Sequence, residues 1–316
     1  MKLFDAHSHM HMGPRGLVIP AAVEQTPFAF DGAAIMSTHP RDYCEVDSIV
    51  SGLRERDYRA VPCYGIHPWF LYDVLSSDEE GDWLGELKQR LIDHPDAIVG
   101  EIGLDGNRWV EVEQSDESDE SIWKRERVLA CPMELQRKAF EEQLFLATEL
   151  QRPVSIHVVS AWGELFTAFD NVRERMKRKY EQLEKEAMDE QRKRRRTKPK
   201  LLPPKIYFHA FSGKAGVLPS LRSACTKGNI PLEDVYFGFP PAIKNFYAAK
   251  TPLIMKEIGI RQLLLETDLE DASDAWDDLQ RGVKGISEAL DMEESEVAKQ
   301  THENADRFYF RPTSKD

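Results

Sequence analysis

The sequence predicts an α/β protein folded as one (β/α)8 TIM barrel. Three observations carry that reading: short apolar runs alternate with helical stretches through nearly the whole chain, there are eight such runs, and reactive side chains stand where the runs stop. Parallel strands need a crossover segment between them, commonly a helix, so the alternation indicates a parallel sheet. Alternation by itself fits an open doubly wound sheet equally well. The count of eight, and the dispersal of His, Glu and Asp over many strand ends, favour the closed barrel, whose site gathers at the carboxyl ends of the strands.

In chain order the runs are Lys2–Ala6, Ala33–Met36, Arg59–Ile66, Ala97–Ile102, Pro153–Ile156, Lys205–Phe208, Asp234–Gly238 and Arg261–Leu265. His7 and His9 close the first, His67 the third, Glu101 the fourth, His157 the fifth, His209 the sixth and Asp268 the eighth. Helices show between them in stretches such as Leu135–Leu150, where Leu135, Ala139, Leu146 and Leu150 recur at helical spacing beside Gln136, Arg137, Glu141 and Glu142. Two segments interrupt the rhythm. Glu111–Glu120 reads as a mobile acidic loop, because so many like charges resist packing. From Val172 an extended polar helix turns basic before Pro203 and Pro204 stop it, so a charged helical insertion is expected over about 172–203, between the fifth and sixth strands. A solvated insertion is the plain reading, and Arg192–Lys200 as a nuclear-import signal or nucleic-acid patch is the sharper one. A single domain over 1–316 holds all of this, since barrels of about 250 residues carry insertions readily.

With 41% hydrophobic and 31% charged residues, the chain can bury a sizeable core under a well-solvated surface. The opening MKLFDAHSHMH offers no apolar stretch of signal-peptide length, and no run of about 18 apolar residues is present to span a bilayer, so no membrane partner is expected. Cys44, Cys63, Cys131 and Cys225 lie far apart without a CxxC pair and read as reduced packing residues. A cytoplasmic location follows, or a nuclear one if the basic stretch is an import signal. The net charge of −13 excludes broad electrostatic attraction to nucleic acid, so any chemistry on it must be local.

Side chains two apart in a strand share a face, so His7 and His9 can converge on one ion, although a His pair alone is a weak signal. His11 continues the spacing beyond the strand end and is given no role. Glu101, in Gly100-Glu101-Ile102-Gly103-Leu104-Asp105, is a lone carboxylate in an apolar strand, costly to bury without a cation or hydrogen bonds. An ion pair with an Arg such as Arg108 would satisfy it. So would two metal ions, one on each oxygen. His157 and His209 add one imidazole each, and Glu266-Thr267-Asp268 ends the eighth run with two carboxylates that share a side if the strand continues that far. Four His, one bridging Glu and one Asp make a ligand inventory for two divalent ions, a pair suited to hydrolysis. Imidazole-rich ligation favours Zn, Mn or Fe over Mg.

The ordered blocks DAHSHMH, GIHP, GEIGLD, SIH, FHAFSG and ETD resemble the TatD family of metal-dependent hydrolases within the amidohydrolase superfamily, and its fungal-type branch in particular. The resemblance spans residues 3 to 310 and includes Asn304, Arg307 and Tyr309 in a region similar to the family's closing motif. It implies two divalent ions, Mg or Mn, with His7 and His9 on the first, His157 and His209 on the second and Glu101 bridging. Asp268 becomes a first-metal ligand that orients or deprotonates the nucleophilic water. His67 is similar to a residue that contacts the scissile phosphate, and Ser212 and Gly213 would shape the phosphate pocket. The implied activity is a deoxyribonuclease acting on DNA, often from the 3′ end. Where the family commonly has Ala-Pro after Asp268, this chain reads Leu269-Glu270-Asp271, and Gly106-Asn107-Arg108-Trp109 replaces the usual stretch after Asp105, leaving Arg108 as a phosphate contact. Two other readings stay open. One is hydrolysis of a small ester, amide or phosphate by the same metals. The other is an interaction protein on a TatD barrel that meets a protein partner through the charged insertion, since fungal members are named as partners of an anaphase-promoting-complex subunit.

Overall fold

A computed structural model describes residues 1–13, 27–76, 82–116, 119–189 and 199–311. Ten strands run in chain order as β1 (Lys2–Ser8), β2 (Ala29–Met36), β3 (Arg59–Tyr64), β4 (Ile98–Asp105), β5 (Trp109–Asp116), β6 (Asp119–Leu129), β7 (Val154–Val159), β8 (Ile206–Phe208), β9 (Val235–Gly238) and β10 (Leu263–Leu264). The helices are α1 (Tyr43–Arg54), α2 (Leu71–Ser76), α3 (Trp83–Asp93), α4 (Met133–Glu149), α5 (Trp162–Asp189), α6 (Leu218–Lys227), α7 (Thr251–Ile258), α8 (Ala275–Leu290) and α9 (Glu294–Ala305).

Eight strands form one parallel sheet in the order β1-β2-β3-β4-β7-β8-β9-β10. Its two edges meet. The Ala6 N–H donates to the Leu265 carbonyl at 2.8 Å, the Asp268 N–H to His7 at 2.9 Å, and the His9 N–H to Leu269 at 2.9 Å. The sheet is therefore a (β/α)8 barrel, as the strand count predicts. Asp5 reinforces the seam by accepting the Thr267 N–H at 3.0 Å and its hydroxyl at 2.7 Å.

Period-two alternation sorts the strand residues between two apolar layers. Phe4, Ala34, Met36, Val61, Ile98 and Leu264 fill the barrel interior, whereas Leu3, Ala33, Ile35, Val99 and Val154 face the surrounding helices. A turn over Asp306–Phe310 inserts Phe308 into the interior against Tyr207 and Tyr236, closing the end opposite the strand carboxyl termini. Buried Asn304 anchors that turn by donating to the carbonyls of Leu263 at 2.6 Å and Ile260 at 2.7 Å, and Arg307 binds the Asn304 side-chain oxygen.

The stretch read as an acidic loop is instead an antiparallel hairpin of β5 and β6. Its register sets Glu111 opposite Arg127 and Glu113 opposite Arg125, with Val110 opposite Val128. The charged insertion begins inside the crossover helix itself. Leu165, Phe169, Val172 and Met176 of α5 are buried at helical spacing, and beyond Met176 the helix carries mostly exposed residues. The end of that segment, 190–198, including most of the basic stretch, lies outside the described residues.

Cys63, Cys131 and Cys225 are buried thiols and Cys44 is exposed. Among the described residues no helix is long and apolar enough to cross a membrane.

Candidate metal centre

Glu101 lies on β4 at 2% exposure, and imidazoles divide between its two oxygens. Oε2 faces Nε2 of His7 at 3.3 Å and of His9 at 3.1 Å. Oε1 faces His157 Nδ1 at 2.9 Å, His209 Nε2 at 2.6 Å and His67 Nε2 at 3.3 Å. Asp268 joins the first side, with Oδ1 3.7 Å from His7 Nε2 and 3.5 Å from His9 Nε2. No Arg meets Glu101 among the ion pairs of the described residues.

The local backbone explains how these groups meet. His7 ends β1 and His9 follows it; the ring of His9 is fixed by a 3.0 Å contact from Nδ1 to the Met36 carbonyl, and that of His7 by Ser155 at 3.1 Å. A carbonyl only accepts, so His9 Nδ1 carries a proton and Nε2 is the atom left for a ligand. Burial pushes this ring down, but hydrogen bonds to Asp268 and Glu101 outweigh it and hold it well above its ordinary value. His7 Nε2 and His9 Nε2 are 3.3 Å apart and face two carboxylates, so four atoms able to ligate converge on one point. Asp268 reaches the cluster because its φ of 59° is left-handed, a conformation Asp tolerates better than most residues. That turn separates it from Glu266, which the spacing pairs with it. Glu266 points away, accepting the Tyr207 hydroxyl and, at 2.8 Å, the Ala210 N–H, and burial with the nearby Asp268 charge pushes its carboxyl well above the usual range. Gly238 makes room, since a Cβ there would sit 2.4 Å from Glu266 Oε1.

Burial drives His7 down to about 3 and His67 down to about 4, which keeps both neutral near pH 7. For His157 burial acts in the same direction, but hydrogen bonds to Asp105 and Glu101 outweigh it and push the ring up to about 9. Burial also opposes ionisation of Glu101, yet His209, His67 and His7 hold it well below the usual range. Three overlapping groups have ligand atoms close enough to hold an ion: His7, His9 and Asp268; His7, Glu101 and His209; His67, Glu101 and His157. The donor set fits divalent metal: His7 and Glu101 stand in their ligating forms, and His9 and His157, held protonated by carboxylates, would release a proton to an ion.

Residues 4–310 match the family model described as TatD related DNase. The chain belongs to the TatD family. The Cut9-interacting protein scn1 of Schizosaccharomyces pombe is 26% identical over 337 residues, covering 91% of this chain and 92% of that protein. An uncharacterized amidohydrolase from Saccharomyces cerevisiae superposes with a TM-score of 0.62 at 14% identity, over 98% of this chain and 100% of its own. A TatD homologue from Escherichia coli gives 0.60 at 18% identity, over 98% of both chains. At those identities the solved structures bear on the fold.

In this TatD chain the cluster opens into a cavity of about 210 Å³, rimmed by Met12, Thr38, Trp69, Phe70 and Glu270. The Arg108 guanidinium lies 4.6 Å from the Trp69 ring centroid, beside that opening. Ser212 donates its hydroxyl to the Val158 carbonyl at 3.0 Å, and Gly213 packs so closely on Phe211 that a Cβ would lie 2.4 Å from its ring. Neither lines the cavity. His67 accepts the Trp69 N–H on Nδ1 at 3.2 Å, so its proton sits on Nε2 and points at oxygen, as a donor rather than a ligand.

Asp105 escapes the sequence reading. Buried at 3% exposure, it accepts His157 Nε2–H at 3.2 Å, the Trp69 indole N–H at 2.6 Å and the Asn107 N–H at 2.7 Å. This fixes the His157 tautomer and turns Nδ1 to Glu101. Its signal was available, because residues four apart in a strand share a face and Asp105 follows Glu101 by four. Asp105→Ala should weaken the second of two metal-binding events by about 10- to 100-fold, as loss of a carboxylate behind a ligating His commonly does. Calorimetric titration with Mn alone reads this; unchanged affinity with a lowered Tm would make Asp105 merely a packing residue.

Proposed function

We propose that this TatD-family chain is a two-metal phosphodiesterase of the deoxyribonuclease type, acting on DNA. The observation that carries the reading is the division of the Glu101 oxygens between two imidazole sets, His7 and His9 with Asp268 on one side and His157 and His209 on the other. His7, His9 and Asp268 would hold the first ion, His157 and His209 the second, and Glu101 both.

Bound there, a pair of Mg, Mn or Zn ions would lower the pKa of water and neutralise charge on the phosphoryl oxygens. Asp268 takes the water proton as general base, since burial opposes its ionisation but the His9 hydrogen bond and the nearby His209 and His7 hold its carboxyl below the usual range. His67 donates a hydrogen bond from Nε2–H to a phosphoryl oxygen, and Arg108 meets the phosphate beside Trp69. As the water oxygen bonds to phosphorus, the P–O bond to the leaving alcohol breaks, and the proton held on Asp268 passes to that alcohol. Glu270 at the cavity mouth favours, as a second reading, a smaller phosphate ester of lower charge. The kinship with scn1, named for its interaction with Cut9, supports a protein partner as well, with the exposed half of α5 as its contact.

Elemental analysis of purified protein should find two divalent ions per chain, and a 3′-labelled single strand should shorten only when metal is supplied. Full metal loading with no hydrolysis of that strand or of bis(4-nitrophenyl) phosphate would remove the phosphodiester claim.

A further inference from the structure

We propose that the segment joining β9 to α7, with the facing flank of α8, is a docking strip along which single-stranded nucleic acid leaves the metal cavity. The substrate class rests on the phosphodiesterase reading; the placement rests on separate observations.

No carboxylate occurs from Phe239 to Lys256, which contains Lys244, Lys250 and Lys256, although the chain as a whole carries a net charge of −13. Lys256 lines a surface groove of about 530 Å³, across which α8 contributes Arg281 and Lys284, and exposed Lys244 and Lys250 flank it from the same segment. Among the described residues Arg281 pairs with Asp278, whereas Lys244, Lys250, Lys256 and Lys284 enter no ion pair. Glu288 is the one carboxylate among the residues lining the groove. Tyr247 stands in the same groove at 66% exposure, with Phe246 behind it at a centroid distance of 5.1 Å. Cations spaced along a groove beside an exposed aromatic face are what an unpaired strand needs, because phosphates take the cations and bases stack on the ring.

The strip is tied to the turn that follows the site, although the groove and the cavity share no lining residue. Asn245 donates to the Phe211 carbonyl at 3.1 Å, tying the segment to the turn that follows His209, and Thr251 holds Asn245 by a 2.6 Å bond to its carbonyl. At the cavity mouth Glu270 presents an exposed carboxylate. Like charge turns a polyanion away from Glu270, and the lysines draw it over Tyr247 and down between α7 and α8.

The test measures fluorescence anisotropy of a labelled phosphorothioate oligothymidylate, which resists hydrolysis, on the full-length metal-supplemented protein. The salt dependence should have a slope of about −2 to −3 in log affinity against log salt, about 0.7 for each phosphate neutralised on a single strand. Combined Lys244→Glu, Lys250→Glu and Lys284→Glu should weaken binding by on the order of 100-fold, and Tyr247→Ala by about tenfold. Both variants should keep the wild-type Tm and wild-type hydrolysis of bis(4-nitrophenyl) phosphate. Wild-type affinity in the triple lysine variant overturns the strip. So does displacement of the oligonucleotide by polyglutamate at equal charge as effectively as by unlabelled oligothymidylate, which would make the groove an acidic-peptide site. Lysine-dependent oligonucleotide binding without any metal-dependent diester hydrolysis supports the strip and sinks the phosphodiesterase reading.

Discussion

Glu101→Gln should lower metal-dependent diester hydrolysis by about a thousandfold or more, equivalent to about 4 kcal/mol of barrier. The side chain is nearly isosteric, so the barrel should close as before. What changes is chemistry at two atoms. Each Glu101 oxygen faces nitrogen from at least two imidazoles, and an amide must put NH2 in place of one of those oxygens. An NH2 group donates and cannot ligate, so one ion loses its shared ligand and the other loses charge compensation. Metal content measured beside kcat/KM separates causes: loss of both together fits a bridge. A variant that keeps two ions and full activity would leave Glu101 a buried carboxylate that imidazoles happen to satisfy.

Asp268→Asn should reduce kcat by about 10²- to 10⁴-fold, the range a positioned general base contributes, with KM much less affected. Asn is chosen because it accepts the left-handed φ of 59° at this position, so backbone strain does not enter the comparison. The first ion should still bind through His7 and His9, more weakly. Equal losses in kcat and in metal occupancy would assign Asp268 to ligation alone, and an unchanged kcat would exclude it from both roles.

The barrel and most of the cluster were legible because parallel strands buried on both faces write themselves as apolar runs, and His7, Glu101, His157 and His209 interrupt or end those runs. The β10 run is longer in the sequence than in the structure, where regular pairing covers only Leu263–Leu264 before the chain turns to the seam. Glu266 and Asp268 were expected to share a side only if the strand ran on, and it does not: regular pairing stops at Leu264 and Asp268 turns left-handed. The hairpin was missed by weighing the acids of 111–120 alone, when strand pairing depends on what lies opposite. Asp105 could have been read from its spacing of four after Glu101, whereas Ser155 gave little signal, since a hydroxyl that steers a His leaves no distinctive spacing. Trp69 stands directly after the GIHP block, yet nothing in the sequence ties its indole to Asp105.

The seam between β1 and the residues after β10 is stitched by Ala6, His7 and His9, and two of those three carry candidate ligand atoms. A growing polypeptide therefore owns only part of the centre until residue 268 has been made and has swung round to its beginning. Closure of the cylinder is thus the step that completes the candidate ligand set, and an ion held there would also hold the seam shut.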